Sequence, residues 1–184
     1  LISRLADFER VAHLRTWALP GGAASVHDAR RNAFALLSEL DLLEHPGAVG
    51  LLNSLDEQTR SITATMIERG INSPRTSSMG RLFDAAAAIL GICGQATYEG
   101  EPAIELEAAA WRALDSEIAH FPDDNAGYSA SDPSWLDGPY VLDQKALFEA
   151  LLGGIEAGAP ADRLALDFHV AVARSSARIA SDIC

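Results

Sequence analysis

Apolar positions recur at helical spacing over most of the chain, and the exceptions cluster at its start. In "DFERVAHLRTWALPGG", Phe8, Val11, His13, Arg15 and Trp17 partly alternate, which predicts strand until Pro20-Gly21-Gly22 ends it. From Ser25 the period changes: Val26, Ala29, Ala33, Phe34, Leu36, Leu37 and Leu40 line one helix face up to a break at His45-Pro46-Gly47. "SLDEQTRSITATMIERG" predicts a second helix, with Ser54 and Glu57 in capping-box spacing and Gly70 as its stop. After "INSPRT", Ser77 or Ser78 is placed to cap a third helix running to about Ile92.

"CGQATYEGEP" is a turn-rich connector, and Pro102 suits the first turn of a helix through "AIELEAAAWRALDSEI". Residues 121–139 are rich in Asp, Gly, Ser and Pro and predict a long loop, followed by a short strand at Tyr140–Leu142. Asp143 is placed to cap a helix over "QKALFEALLGGIEAG", weakened by Gly153-Gly154. Pro160 opens a last helix with a broad apolar face at Leu164, Leu166, Phe168, Val172, Ile179 and Ile183. The expectation is one mainly α domain over 1–184, with minor strand near the N-terminus and before Asp143.

Composition narrows the partners. An apolar fraction of 48% and a charged fraction of 22% over 184 residues are those of an ordinary globular domain. The formal charge of −12 argues against nucleic acid and anionic membranes, whose polyanionic surfaces need Lys/Arg-rich faces. No apolar run approaches the ~20 residues that span a bilayer. Two cysteines, Cys93 and Cys184, make no disulfide framework, so a reducing cytoplasm is the expected location. The chain begins at Leu1 and ends in a segment still spaced like a helix, so the expectation is a piece of a larger protein.

Candidate chemistry is sparse. The five histidines are scattered singly, without the i, i+4 pair or Cys/His cluster of a metal site. No Gly-x-Ser-x-Gly elbow occurs, and Cys93 has no neighbouring His or Lys to stabilise a thiolate. Two stretches stand out. In "TSSMGRLFDAAAAIL", Ser77, Ser78 and Gly80 place small residues at a helix start, where free N–H groups and the dipole favour an anion. Asp84 follows one turn later in an otherwise apolar run. In "YEGEPAIELE", a turn at Gly100 leads into a helix whose first turns carry Glu101, Glu105 and Glu107. Acids there complement the helix N-terminus, which accounts for them without any ligand. Jointly, the Asp and the Gly-Glu turn could instead frame a ribose or an acyl phosphate; carboxylates commonly accept hydrogen bonds from ribose hydroxyls.

These stretches carry a family resemblance. "RVAHLRTWALPGG", "ERGINSPRTSSMGRLFDAAAAILGICGQATYEGEPAIELEAAA", "GPYVLD" and "FHVAVA" resemble, in order, the landmarks of the HypF carbamoyltransferases of [NiFe]-hydrogenase maturation. The matching region of that family is similar to the tRNA threonylcarbamoyladenosine-forming proteins, which implies a helical portion of an actin-like (ASKHA-type) ATPase lobe. The implied activity uses ATP and carbamoyl phosphate to make carbamoyl adenylate and passes the carbamoyl group to the C-terminal cysteine of HypE, where it becomes a cyanide ligand.

The tRNA-modifying relatives read "FDK…YPGGPxIE" where this chain has "LFDAAAAILGICGQATYEGEPAIE". The resemblance puts the ribose-contacting Asp on Asp84, the glycine pair on Gly100 and Glu101, and the family Glu on Glu105. Glu101 departs from the second glycine. By the physical argument above, Ser77, Ser78 and Gly80 would lie near the phosphate or carbamoyl group. The family's metal-binding His-x-x-x-His pair and metal-binding Asp have no counterpart in these 184 residues, so no metal and no catalytic residue is expected here, and the segment is not expected to catalyse alone. A non-catalytic helical interaction module is the alternative. An apolar face left uncovered by a missing sheet would favour a homodimer.

Overall fold

The computed structural model describes residues 2–4, 7–115 and 140–183. Within them the fold is predominantly helical. Three small two-stranded sheets flank it: β1 (Ile2–Arg4) with β2 (Asp7–Glu9), β3 (Ala12–Leu14) with β6 (Tyr140–Leu142), and β4 (Trp17–Ala18) with β5 (Arg75–Thr76). The second pair is parallel, in register Ala12 to Tyr140 and Leu14 to Leu142; the other two are antiparallel. Strand at the N-terminus and before Asp143 is thus present, as the alternation implied. The loop expected over 121–139 lies outside the described residues.

The helix expected from Ser25 to Leu40 is two helices, α1 (Ala23–His27) and α2 (Ala29–Glu39). Asp28 interrupts them in a non-helical conformation, and its carboxylate accepts from the Arg30 N–H at 3.2 Å, capping α2. After a 3-10 turn at Pro46–Ala48 comes α3 (Val49–Ser54), a short helix that the periodicity did not announce. The capping box at Ser54 and Glu57 does not form. Ser54 ends α3 and donates its hydroxyl to the Leu51 carbonyl, while Asp56 caps α4 (Glu57–Arg69) by accepting from the Thr59 N–H at 2.8 Å. Asp56, two residues closer to the helix, occupies the cap position and takes the cap. Gly70 closes α4 in the left-handed conformation, as its position suggested.

The remaining helices are α5 (Met79–Ile89), α6 (Glu101–Asp115), α7 (Lys145–Glu156) and α8 (Ala161–Ile183). At α7 the expected cap is displaced by one residue: Gln144 occupies the cap position, and the Asp143 carboxylate accepts from the Lys145 N–H at 3.0 Å. Gly153-Gly154 does not break α7. A Cβ on Gly154 would lie 2.3 Å from a Leu164 methyl, so the glycine lets α8 pack against α7. Gly47 plays a harsher version of that role, since its Cβ would sit 2.2 Å from the Leu152 carbonyl oxygen.

The core is shared by α2, α5, α6, α7 and α8, with Trp17, Leu36, Leu82, Leu106, Phe148 and Phe168 among its fully buried side chains. Four consecutive buried alanines, Ala85–Ala88, let the backbone of α5 approach its neighbours on several sides. Phe83 meets Phe168 edge-on at 5.3 Å between centroids, and Phe168 meets Phe148 at 5.8 Å. Burial of these side chains supplies the driving force, at roughly 25 cal/mol per Å² of apolar surface. Among the described residues, no helix is long and apolar enough to cross a membrane.

Candidate functional site

The start of α5 is built locally. Thr76 Oγ1 accepts from the Ser78 N–H at 3.1 Å, and Ser78 caps the helix by accepting from the Arg81 N–H. Ser78 and Gly80 are exposed and Ser77 is half-buried. A buried relay fixes the next turn: Trp17 Nε1 donates to Asn32 Oδ1 at 2.8 Å, and Asn32 Nδ2 donates to the Arg81 carbonyl at 2.6 Å. The far end closes in a Schellman arrangement, with the Gly91 N–H bonded to Ala88 O and the Ile92 N–H to Ala87 O.

The connector after α5 is clamped to the first third of the chain. The Ala96 N–H donates to His27 O at 2.7 Å, and Gln95 bridges Asp28. Arg30 grips Asp28 bidentately at 2.7 and 2.8 Å and donates to Ser54 O at 2.9 Å, while its methylenes lie where a side chain on Gly94 would stand. The connector then turns at Gly100, whose φ of +88° suits glycine and whose surroundings are open. The Glu101 carboxylate folds back onto the Thr97 N–H and hydroxyl, which pulls its pKa below the ordinary Glu value.

Asp84 is 1% exposed, the single buried carboxylate among the described residues. Its Oδ2 lies 3.1 Å from the Arg81 guanidinium, one helical turn back, and Arg81 in turn reaches Glu99 at 3.8 Å. The carboxylate also faces the Ala103 N–H, one of the unsatisfied donors in the first turn of α6. Neither approach is aligned as a full hydrogen bond, and both Asp84 oxygens remain without one. Burial pushes the Asp84 pKa above the usual carboxylate value, while Arg81 and the Ala103 N–H pull it back and Glu99 adds to the rise.

Glu105 is exposed on α6, one turn beyond Glu101. The charges of Glu101, Glu105 and Asp84 all reach the half-buried Cys93 thiol and, after burial itself, hold its pKa above the ordinary thiol value. Three of the four residues expected at a nucleotide thus act electrostatically on the same thiol, and Gly100 forms the turn that precedes Glu101. Ser77 and Ser78 stand apart: among the described residues, no hydrogen bond or ion pair joins them to Asp84 or Glu105. Sequence reasoning did not pair Arg81 with Asp84, although their i, i+3 spacing was visible, and did not connect Cys93 electrostatically with these acids. Among the described residues no group of acids, histidines and cysteines is arranged to hold a metal.

Comparisons with known proteins agree in kind. A family model described as "Carbamoyltransferase, Kae1-like Domain, second subdomain" matches residues 1–184. A carbamoyltransferase HypF homolog of Cupriavidus necator is 37% identical over 96% of this chain and 43% of its own length. The carbamoyltransferase HypF of Rhodobacter capsulatus is 34% identical over 96% of this chain and 21% of its own. The chain thus spans less than half the length of these relatives. The crystal structure of full-length HypF in the phosphate- and nucleotide-bound form superposes with a TM-score of 0.77 at 26% identity, covering 96% of this chain and 25% of that one. T. kodakarensis HypF superposes with a TM-score of 0.67 at 30% identity, over 94% of this chain and 22% of that one. By its match to the family model and the extent and identity of its relatives, the chain belongs to the HypF carbamoyltransferase family and corresponds to the second subdomain of the Kae1-like domain.

Proposed function

We propose that this chain is the helical portion of an actin-like ATPase lobe and forms the ribose-binding wall of a carbamoyltransferase. In this reading the whole protein uses ATP and carbamoyl phosphate to form carbamoyl adenylate, and HypE receives the carbamoyl group on its C-terminal cysteine for cyanide-ligand synthesis. The observation that carries the reading is Asp84: a fully buried carboxylate whose two oxygens lack completed hydrogen bonds and which faces the first turn of α6 at Ala103. Arg81 and the Ala103 N–H face it without completing hydrogen bonds, so it can still accept from a ribose hydroxyl, which is a donor. Glu105 would meet the sugar first, and Arg81 would swing toward Glu99 to open Asp84.

The test uses the full-length protein. Asp84→Asn and Glu105→Gln are each expected to weaken nucleotide binding tenfold or more and to depress ATP-dependent carbamoylation of HypE. Unchanged nucleotide affinity in both variants would sink the reading.

A second reading is favoured by the 1% exposure of Asp84. There the carboxylate serves as a remote cap, offering its charge to the free N–H end of α6 and tying α5 to α6. It predicts that Asp84 substitutions alter stability while nucleotide affinity stays put.

A further inference from the structure

Asn32 is 0% exposed on α2, and Trp17 is 1% exposed on β4. The indole Nε1 donates to Asn32 Oδ1, and Asn32 Nδ2 donates to the Arg81 carbonyl. The helix does not need that second bond. Arg81 lies in the first turn of α5, where the α-helical pattern already gives its carbonyl the Ala85 N–H. Replacing both partners of a buried bond by apolar groups of the same shape changes stability little. What a satisfied buried relay adds is direction, because it permits one placement of the elements that it joins.

The element so placed is residue 81. Its N–H points to Ser78 Oγ at 3.4 Å, its carbonyl accepts from Asn32 at 2.6 Å, and its guanidinium faces Asp84 at 3.1 Å and Glu99 at 3.8 Å. Trp17 also pairs with Thr76 in the β4–β5 ladder, so the strand that leads into α5 is tied to the same relay. With a side-chain exposure of 11%, Arg81 has little room to take another direction. An unconstrained arginine and carboxylate this close would settle into a bidentate fork. Here Arg81 Nη1 and both Asp84 oxygens complete no hydrogen bond.

We propose that Asn32 is a positioning residue for Asp84: by holding the Arg81 peptide it sets where the guanidinium stands, near enough to offset the carboxylate and too poorly aligned to occupy its oxygens. That those oxygens serve a ribose rests on the function proposed above; the coupling of Asn32 to Asp84 does not.

The experiment is a double-mutant cycle with two readouts. Trp17→Phe with Asn32→Leu turns the relay into an apolar pair, and Asp84→Asn changes the group at its far end. In urea unfolding of the chain, the effect of the apolar pair on the folding constant should differ by about threefold or more between the two backgrounds, as for groups in one network. In the full-length protein the pair should weaken nucleotide binding by a similar factor, and should weaken it no further once Asp84→Asn is present. Trp17→Phe alone keeps the bond from Asn32 to Arg81 and should retain most of the nucleotide affinity. A merely structural relay predicts additive effects on folding and the same nucleotide loss in either background, and either result overturns the proposal. Nucleotide affinity indifferent to Asp84→Asn sinks the ribose reading alone, and the folding cycle then decides the coupling. Should the apolar pair not fold, the ¹⁵N resonance of the Asn32 side-chain amide takes its place: Asp84→Asn should shift it through Arg81, and an unmoved resonance overturns the proposal.

Discussion

Arg81→Met should cost the fold far more than Asp84→Asn, although both variants break the same ion pair. The two groups are 3.1 Å apart, with side-chain exposures of 11% for Arg81 and 1% for Asp84. Methionine keeps the aliphatic stem of Arg81 but strands a buried carboxylate that, among the described residues, has no other ion-pair partner. Removing one partner of a buried pair in this way typically costs about 3–5 kcal/mol. Asparagine instead removes the charge at the more deeply buried end. Burial already pushes the Asp84 pKa upward against the pull of Arg81, so the site favours an uncharged group there. The Arg81 left behind still has Glu99 at 3.8 Å and an outlet to solvent. Its expected cost is therefore within about 1 kcal/mol at neutral pH, of either sign.

The pH dependence separates the two further. A carboxyl whose folded-state pKa lies above its unfolded value binds more protons when folded, so stability falls as pH rises between the two values. The unfolded value is about 3.9. Arg81→Met removes the main influence holding the Asp84 pKa down, which widens that window upward. The Arg81→Met deficit should thus shrink on acidification, and Asp84→Asn should lack the effect. Urea unfolding followed by far-UV circular dichroism at pH 5 and pH 8 measures all four combinations. An Arg81→Met cost no larger than that of Asp84→Asn, or one that does not shrink in acid, would refute the reasoning.

Further expectations concern two glycines and Cys93. Gly47→Ala drives a Cβ to 2.2 Å from a backbone oxygen, and a backbone cannot rotate away as a side chain can; a loss of about 3 kcal/mol or more is expected by thermal unfolding. Gly50→Ala, three residues on in α3 with nothing near its Cβ, should stabilise by about 0.5–1 kcal/mol. Cys93 should alkylate more slowly than a free thiol at pH 8, because burial and then the charges of Glu101, Glu105 and Asp84 disfavour its thiolate. Mass-spectrometric mapping keeps its label distinct from that of Cys184, and Glu105→Gln should raise the Cys93 rate.

Much of the helical framework was legible because it follows from local rules. Ser78 caps α5, Gly70 stops α4, and Pro102 sits in the first turn of α6, each where neighbouring residues alone put it. The errors were local too. Ser54 was expected to cap the second helix, and sequence spacing did not reveal that a preceding helix would claim it. Gly153-Gly154 read as a weakness because its benefit, room for Leu164, comes from the next helix. The acid in an alanine run was conspicuous, but its surroundings were not. Arg30 gripping Asp28 against the connector, and Asn32 holding the Arg81 carbonyl, join segments 49 or more residues apart in the second case and three separate segments in the first. Such contacts leave no periodic trace along the chain.

The parallel pairing of β3 with β6 has a consequence for the order of folding. Ala12 must wait for Tyr140, so α1 to α6 are all synthesised before this ladder can close. Local helices form early, whereas a contact of such sequence separation carries a large loop-closure cost and forms late. Until then β3 presents an unpaired edge, the kind of surface that recruits foreign strands. Closure brings the Arg15 N–H to the Leu142 carbonyl at 2.8 Å and the Gln144 amide to the Arg15 carbonyl at 2.7 Å. The buried Gln144 junction is therefore among the last features of the molecule to form, and a probe of that contact would report closure of the two ends of the chain.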